Sequence, residues 1–269
     1  KVRHDIDAMN RDEAYWNKYR QVDLTKSESS MDSFIHRMEN SKGFKWIILG
    51  VKALMENYVE IGSGPGGKKS KFDLGPVNTY LSKNYVDGIR LRLAGRTMAA
   101  LNPHFFWNGY AAYGTKSNEW YTGHVLTYSL NKKKNSPFEF PMRNVTFEVS
   151  RDIMSPSDDN LQHNKDNIFM TFRAATQDEM FLYHRQRLDF TYETDWGLRF
   201  NTGIRWQSNR TAGNLHYFTL DGNEVKKIRM TDINVGINYN PGVTYVNTKQ
   251  QRLPINLDSP EIGISHTMG

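Results

Sequence analysis

Cysteine is absent from the chain, which rules out a disulfide frame and any thiolate metal site. Long apolar runs are absent too. The longest, Trp46 to Leu49 with Val51 and Leu54 just beyond, falls far short of the roughly 20 residues a membrane-spanning helix needs. A helical membrane protein is thereby excluded. A membrane β-barrel is not, because its strands need only alternate apolar and polar residues, and window averages hide such alternation. There is no signal peptide at the start, and Gly269 falls within a strand-like pattern, so a processed or partial piece of a longer protein is expected.

The 269 residues carry a formal net charge of +6 and only 38% hydrophobic residues, with a mean hydropathy of −0.68. Against that polarity, 14 Tyr, 14 Phe and 6 Trp make the chain rich in rings. Such rings fill a core in a soluble protein and form interface girdles in a membrane barrel. The positive charge permits anionic partners such as lipid headgroups. Nucleic acid is not expected, since no basic helix or RNA-binding aromatic signature accompanies the charge.

Residues 1–60 read as helix and loop. Candidate helices cover Arg11–Tyr19, Ser30–Met38 and Phe44–Met55, from apolar residues at helical spacing. This segment is expected to pack against the β domain or to form a periplasmic collar or plug. A linker is expected over 61–85 and the β domain over 86–269.

From Ile89 onward the period is two. Ile89, Leu91 and Leu93 alternate with Arg90 and Arg92; Val145, Phe147 and Val149 with Thr146 and Glu148. Leu188, Phe190 and Tyr192 alternate with Arg187, Asp189 and Glu193, and Leu198, Phe200, Ile204 and Trp206 with Arg199 and Arg205. Ile233, Val235 and Ile237 alternate with Asn234 and Gly236. Less regular strands are expected over His104–Gly114, Trp120–Leu130 and Ile168–Ala174, with a last one starting near Ile262. Longer polar connections are expected over 131–141, 152–167, 208–227 and 240–260.

Several of these strands run to about nine to twelve residues, long enough to cross a bilayer at a tilt and longer than the usual five or six. The expected fold is all-β: an antiparallel transmembrane β-barrel, seen in part with about eight or nine strands, preceded by a short helical N-terminal segment. Expected lipid-facing residues are Leu91, Val145, Phe147, Val149, Leu188, Phe190, Leu198, Phe200, Ile204, Ile233, Val235 and Ile237. Interface aromatics are Trp107, Tyr113, Trp120, Tyr192, Trp196 and Trp206. A basic ladder of Arg90, Arg92, Arg96, Arg185, Arg187, Arg199 and Arg205 lines the lumen. It either favours anions or pairs with neighbouring carboxylates. A soluble antiparallel sheet with one wet face has the same period and stays open as an alternative.

One stretch carries a resemblance. Asp87-Gly88-Ile89-Arg90-Leu91-Arg92-Leu93-Ala94-Gly95-Arg96-Thr97 followed by Gly109-Tyr110-Ala111-Ala112-Tyr113-Gly114-Thr115-Lys116 resembles a Bacteroidota family of outer-membrane barrel proteins of unknown function. Lys71-Phe72-Asp73-Leu74-Gly75-Pro76 and Trp16 to Arg20 with Leu24-Thr25 also look like that family. More distantly, the strand pair is similar to surface-antigen barrels related to outer-membrane assembly proteins. The resemblance implies a cell outer-membrane location and no catalytic residues. Members usually carry a carboxypeptidase-regulatory-like sandwich before the barrel; that sandwich and the second half of the barrel are missing from this sequence. Expected partners are outer-membrane lipid or lipopolysaccharide and other envelope proteins.

Other constellations are weak. Gly62-Ser63-Gly64-Pro65-Gly66-Gly67-Lys68-Lys69 nearly matches a phosphate-binding loop, but Lys69 replaces the required Ser/Thr and Pro76 blocks a following helix. Asp158, Asp159, Asn160, His163 and Asp166 are oxygen- and nitrogen-bearing but lack calcium-loop spacing. Glu193 and Asp195 are close in sequence without a defined separation in space. His104, His124, His184 and His216 lack zinc spacing. Asn144 and Asn209 begin glycosylation triplets that arise by chance. No enzyme activity, cofactor or metal is expected. A structural, assembly or interaction role is expected first, an uptake pore second and a soluble carbohydrate-binding protein third.

Overall fold

The computed structural model describes residues 41–63, 69–158, 165–172, 177–247, 252–256 and 258–269. The expected helices at 11–19 and 30–38 lie outside these residues. The third coincides with α1 (Lys42–Glu56). Its start is capped by Ser41, whose hydroxyl accepts from the Phe44 N–H at 3.2 Å, satisfying one of the orphan donors of a first turn. Its end is marked by Asn57 at φ 62°, a left-handed residue of the kind that closes helices.

The remainder is all-β, dominated by one antiparallel sheet of eleven strands. Short strands come first: β1 (Val59–Ile61), β2 (Phe72–Leu74) and β3 (Leu81–Asn84). A meander of long strands follows: β4 (Gly88–Thr97), β5 (Phe105–Gly114), β6 (Trp120–Ser129), β7 (Arg143–Met154), β8 (Glu179–Glu193) and β9 (Leu198–Gly213). After the small hairpin β10 (Tyr217–Phe218) and β11 (Glu224–Val225) comes β12 (Lys227–Tyr239). A second small hairpin, β13 (Tyr245–Asn247) with β14 (Arg252–Pro254), precedes the edge strand β15 (Ile262–Met268). Each long strand pairs antiparallel with its neighbour in sequence, through short turns at β5–β6 and β8–β9 and long connections at β6–β7 and β7–β8.

Three expectations are corrected, and a fourth, the barrel seen in part, is shown only as an all-β antiparallel sheet. The supposed linker contains β2 and β3, which share one edge of β4 at Gly95–Thr97 and Gly88–Leu91. Pro76 and the 3-10 turn Val77–Thr79 break what would be one strand into two, since proline cannot donate to the ladder. The strand expected at 168–174 begins instead as the one-turn helix α2 (Ile168–Thr171), because the Asn167 side chain caps Phe169 N–H at 2.9 Å. Much of the loop expected over 208–227 is strand, with β9 reaching Gly213 and β12 starting at Lys227. Finally, among the described residues the sheet is open, with β1 and β15 at its margins; no ladder joins them, so no barrel closes.

The β8–β9 turn shows how tightly the register is set. Gly197 has φ 93°, and a Cβ there would fall 2.2 Å from the Asn240 carbonyl oxygen. Only glycine meets both demands.

Candidate functional site

The register places every arginine of the predicted ladder on one face. Glu148 of β7 pairs with Arg187 of β8, Arg187 with Arg205 of β9, and Arg205 with Asp232 of β12. Arg90 and Arg92 oppose Gly114 and Ala112 on β5, and Ala112 opposes Tyr121 on β6. The two central arginines are separated by their partners: Arg187 binds Asp189 at 2.7 Å and Arg205 binds Asp232 at 2.5 Å. Arg185 donates to Gln207 at 2.6 Å, and Arg199 lies opposite Glu193.

All twelve residues predicted to face lipid lie on the other face, together with Trp107, Tyr113, Trp120, Tyr192 and Trp206. They are exposed or half-exposed: Leu91 retains 51% of its surface, Phe147 40% and Ile237 48%. One face, called outward below, is thus apolar and exposed; the other, called inward, carries the charges, buried at Arg90 and half-exposed at Arg187 and Arg205.

The apolar band crosses the strands obliquely. Leu93 on β4 is in register with Ala111, Thr122, Arg151, His184, Ser208 and, on β12, Arg229. The apolar run of β12 begins only at Ile233. Large rings mark the two margins of this oblique band. Tyr113 and Trp120, with centroids 5.1 Å apart, and Trp206 sit at the margin bearing the β5–β6 hairpin. Trp107, Tyr192 and the Trp196–Tyr239 pair, at 5.9 Å, sit at the other.

The inward face holds a charge cluster that no sequence motif announces. Arg90 is fully buried and contacts three carboxylates: Asp152 at 2.8 Å, Asp166 at 3.2 Å and Asp87 at 3.3 Å. Arg92 reaches Asp166 at 3.1 Å, and Lys165 reaches Asp152 at 3.1 Å. Tyr121 donates to Asp87 at 2.6 Å and Tyr110 to Asp152 at 2.5 Å. The rings of the same tyrosines lie against Arg90 and Arg92 at 4.7 and 3.9 Å. Three cations face three carboxylates, so a fully buried guanidinium is neutralised where an unpaired one would not be tolerated. The cluster also ties the β7–β8 connection, through Lys165 and Asp166, to β4.

The weaker constellations take structural places. Asp166, read as a possible cation ligand, belongs to the Arg90 cluster; residues 159–164 lie outside the described part. Glu193 is buried and accepts from Met142 N–H at 2.8 Å and Arg252 at 2.6 Å, while Asp195 is exposed and meets Arg143 at 3.4 Å. They do not face one another across a cleft. Lys69 of the glycine-rich segment donates to Asn135 at 2.9 Å. The Asn144 amide is buried and donates to the Pro137 carbonyl at 2.8 Å. His104 is hydrogen-bonded to the Ser129 carbonyl and His216 to Glu224. Among the described residues no group of His, Asp and Glu is arranged to hold a metal.

Sequence reasoning missed Asp87, Asp152, Tyr110 and Tyr121 as partners of the ladder. Asp152, Tyr110 and Tyr121 have one signal, placement on the polar phase of the alternation, shared with many other residues; Asp87 lies in the turn before β4 and has none. It also missed outward-facing Arg151, Arg210, Lys227 and Arg229, which break that phase at strand ends. Comparison with protein families, curated proteins and solved structures finds no match for this chain.

Proposed function

We propose that this chain forms a section of the wall of a bacterial outer-membrane β-barrel, with a structural, assembly or interaction role as a subunit of a larger envelope complex. The observation that carries this is the inverted sheet: Leu91, Leu93, Phe147, Leu188, Ile233, Val235 and Ile237 are outward and exposed, while Arg90 and Asp152 are inward and fully buried. A contiguous apolar surface on this scale is costly in water and favourable against acyl chains.

The oblique band adds a second support. Its centre moves from Leu91 on β4 to Val235 on β12, eight residues beyond the register partner position of Leu91, Lys227, over six strand-to-strand steps. With a rise of about 3.4 Å and a spacing of about 4.8 Å, that offset corresponds to a tilt of about 40°. Strands of outer-membrane barrels tilt by roughly 35–45°. From Leu198 to Trp206 the outward phase extends about 27 Å along the strand, or about 21 Å once tilted, close to the roughly 25 Å apolar belt of such barrels. The resemblance of 87–97 and 109–116 to Bacteroidota barrels agrees with this placement.

A structural role is favoured over an open pore by the inward cluster around Arg90. Its charges are matched and buried, whereas a conducting lumen exposes them to water.

The absence of cysteine makes the test clean. Single cysteines at Phe147, Val235 or Ile264, labelled with a fluorophore in phosphatidylcholine vesicles, should be quenched by brominated lipid. Labels at Glu148 or Asn234 should respond to aqueous iodide instead. A reversed or uniform aqueous response would overturn the bilayer placement. In planar bilayers the protein should pass no steady current; ohmic conductance would replace the structural role with a pore.

A further inference from the structure

Just beyond the band margin marked by Trp206, the outward face changes from apolar to basic. Arg210 of β9 lies directly opposite Lys227 of β12, and both are exposed. Arg229 follows two residues along β12, in register with Ser208, His184 and Arg151. Like charges directly opposite on a sheet destabilise it, with Cβ atoms about 5 Å apart. One carboxylate answers this group: Glu119 meets Arg151 at 2.8 Å. Among the described residues, none pairs with Arg210, Lys227 or Arg229.

Arg151, His184, Gln186, Trp206, Arg229 and Thr231 border an outward groove of about 400 Å³. The margin at the opposite end of the strands is different. There the outward cation is Arg143, which is held by Asp195 at 3.4 Å and lies over the Tyr192 ring at 5.2 Å.

Resting on the bilayer placement proposed above, we infer that this basic rim is a binding site for the phosphate groups of a lipid headgroup, supplied by a phosphorylated glycolipid of the adjoining leaflet. The cations stand where the headgroup layer meets the band, so acyl chains can run along Ile204, Leu188 and Ile233 while the phosphate meets Arg210, Lys227 and Arg229. A phosphate bridging Arg210 and Lys227 turns a repulsive cross-strand pair into two charge-assisted contacts, and arginine forks suit phosphate oxygens. Gln186 and Thr231, which border the groove with Arg229, offer hydrogen bonds to sugar hydroxyls beside the phosphate.

The test uses the full chain in phosphatidylcholine vesicles containing either diphosphoryl lipid A or its dephosphorylated form. Lipid retained after detergent extraction is counted by native mass spectrometry. The protein should retain the phosphorylated form roughly a hundredfold more, since each of the three surface cations favours an anionic headgroup by a factor of about five. R210Q/K227Q/R229Q should abolish the preference, and R210K/K227R/R229K should keep it. Equal retention of the two lipids by the unmodified protein, which needs no variant to fold, overturns the inference. Full competition by millimolar inorganic phosphate overturns the lipid source. Release of the protein from vesicles by a carbonate wash would remove the bilayer placement, and this site with it.

Discussion

On β4 the Arg90 side chain has no exposure, whereas on β8 and β9 the side chains of Arg187 and Arg205 keep 40% and 30% of theirs. The alternation that places all three on the inward face is the same. What differs is the cover. Over β4 to β7 the chain supplies its own lid: Ser82 of β3, Tyr110, Tyr121 and the Lys165–Asp166 turn close around Arg90. Over β8 to β12 Arg187 and Arg205 are matched within the sheet, by Asp189 and Asp232, and remain partly wet. A polar face can therefore be neutralised pairwise and left in water, or gathered into a network and dried. The second arrangement is far less tolerant of loss, because a removed partner strands a buried charge.

Replacing Arg90 and Arg187 by Met gives the sharpest contrast. Arg90→Met leaves Asp87, Asp152 and Asp166 with Arg92 and Lys165 alone, and should cost about 3–5 kcal/mol. Arg187→Met should cost under about 1 kcal/mol, the range of a solvated pair. Urea unfolding of the refolded protein in detergent measures both, and equal costs would erase the distinction.

Glycines probe the same contrast at smaller scale. A Cβ on Gly123 would lie 2.4 Å from the Tyr110 ring, which Asp152 holds in place; one on Gly236 would meet the terminal atoms of Asn201 at 2.7 Å. Gly123→Ala should cost about 1–3 kcal/mol through overpacking, and Gly236→Ala less, because an amide end can swing aside. Unfolding midpoints of the two variants decide.

A third test lies outside the strands. Lys133, in the β6–β7 connection, donates to the carbonyls of Glu139 and Pro141, both at 2.7 Å. Burial lowers its amine to about 8, with Glu139 and Glu193 partly opposing that fall. The unfolded chain then holds the proton more tightly than the folded one, so stability should rise as pH increases from about 8 toward the ordinary lysine value of about 10.4. Below pH 8 both states are protonated and the cost of the buried charge is fully present. Lys133→Met should flatten that rise relative to the unmodified protein. An unchanged slope would show that the connection stays hydrated, like the β8–β12 ladder.

Much of this was legible in the sequence because a period of two assigns a face without knowledge of neighbours. Leu91, Phe147, Val235 and the seven arginines fall where their phase puts them. Partners were not legible. Asp166 is far from Arg90 in sequence, and only the path of the β7–β8 connection brings them together; from sequence it was one more acid in a polar loop. The slant of the apolar band was hidden as well, since it depends on the stagger between strands, which hairpin geometry sets. β2 and β3 are too short for periodicity to register. Ile168, Phe169 and Phe172 suggested a strand until the Asn167 cap decided for a helical turn.

The unpaired margin at β15 has its own consequence. All seven residues from Ile262 to Met268 are exposed, and alternate N–H and C=O groups along their outer side have no partner strand in the described structure. In hydrocarbon each such orphan costs several kcal/mol, so a bare seam of this length would outweigh the whole stability of an ordinary domain, about 5–15 kcal/mol. Under the bilayer placement proposed above, the outer side of β15 therefore has to be shielded from acyl chains. That placement implies that entry into lipid and pairing of this edge are coupled steps.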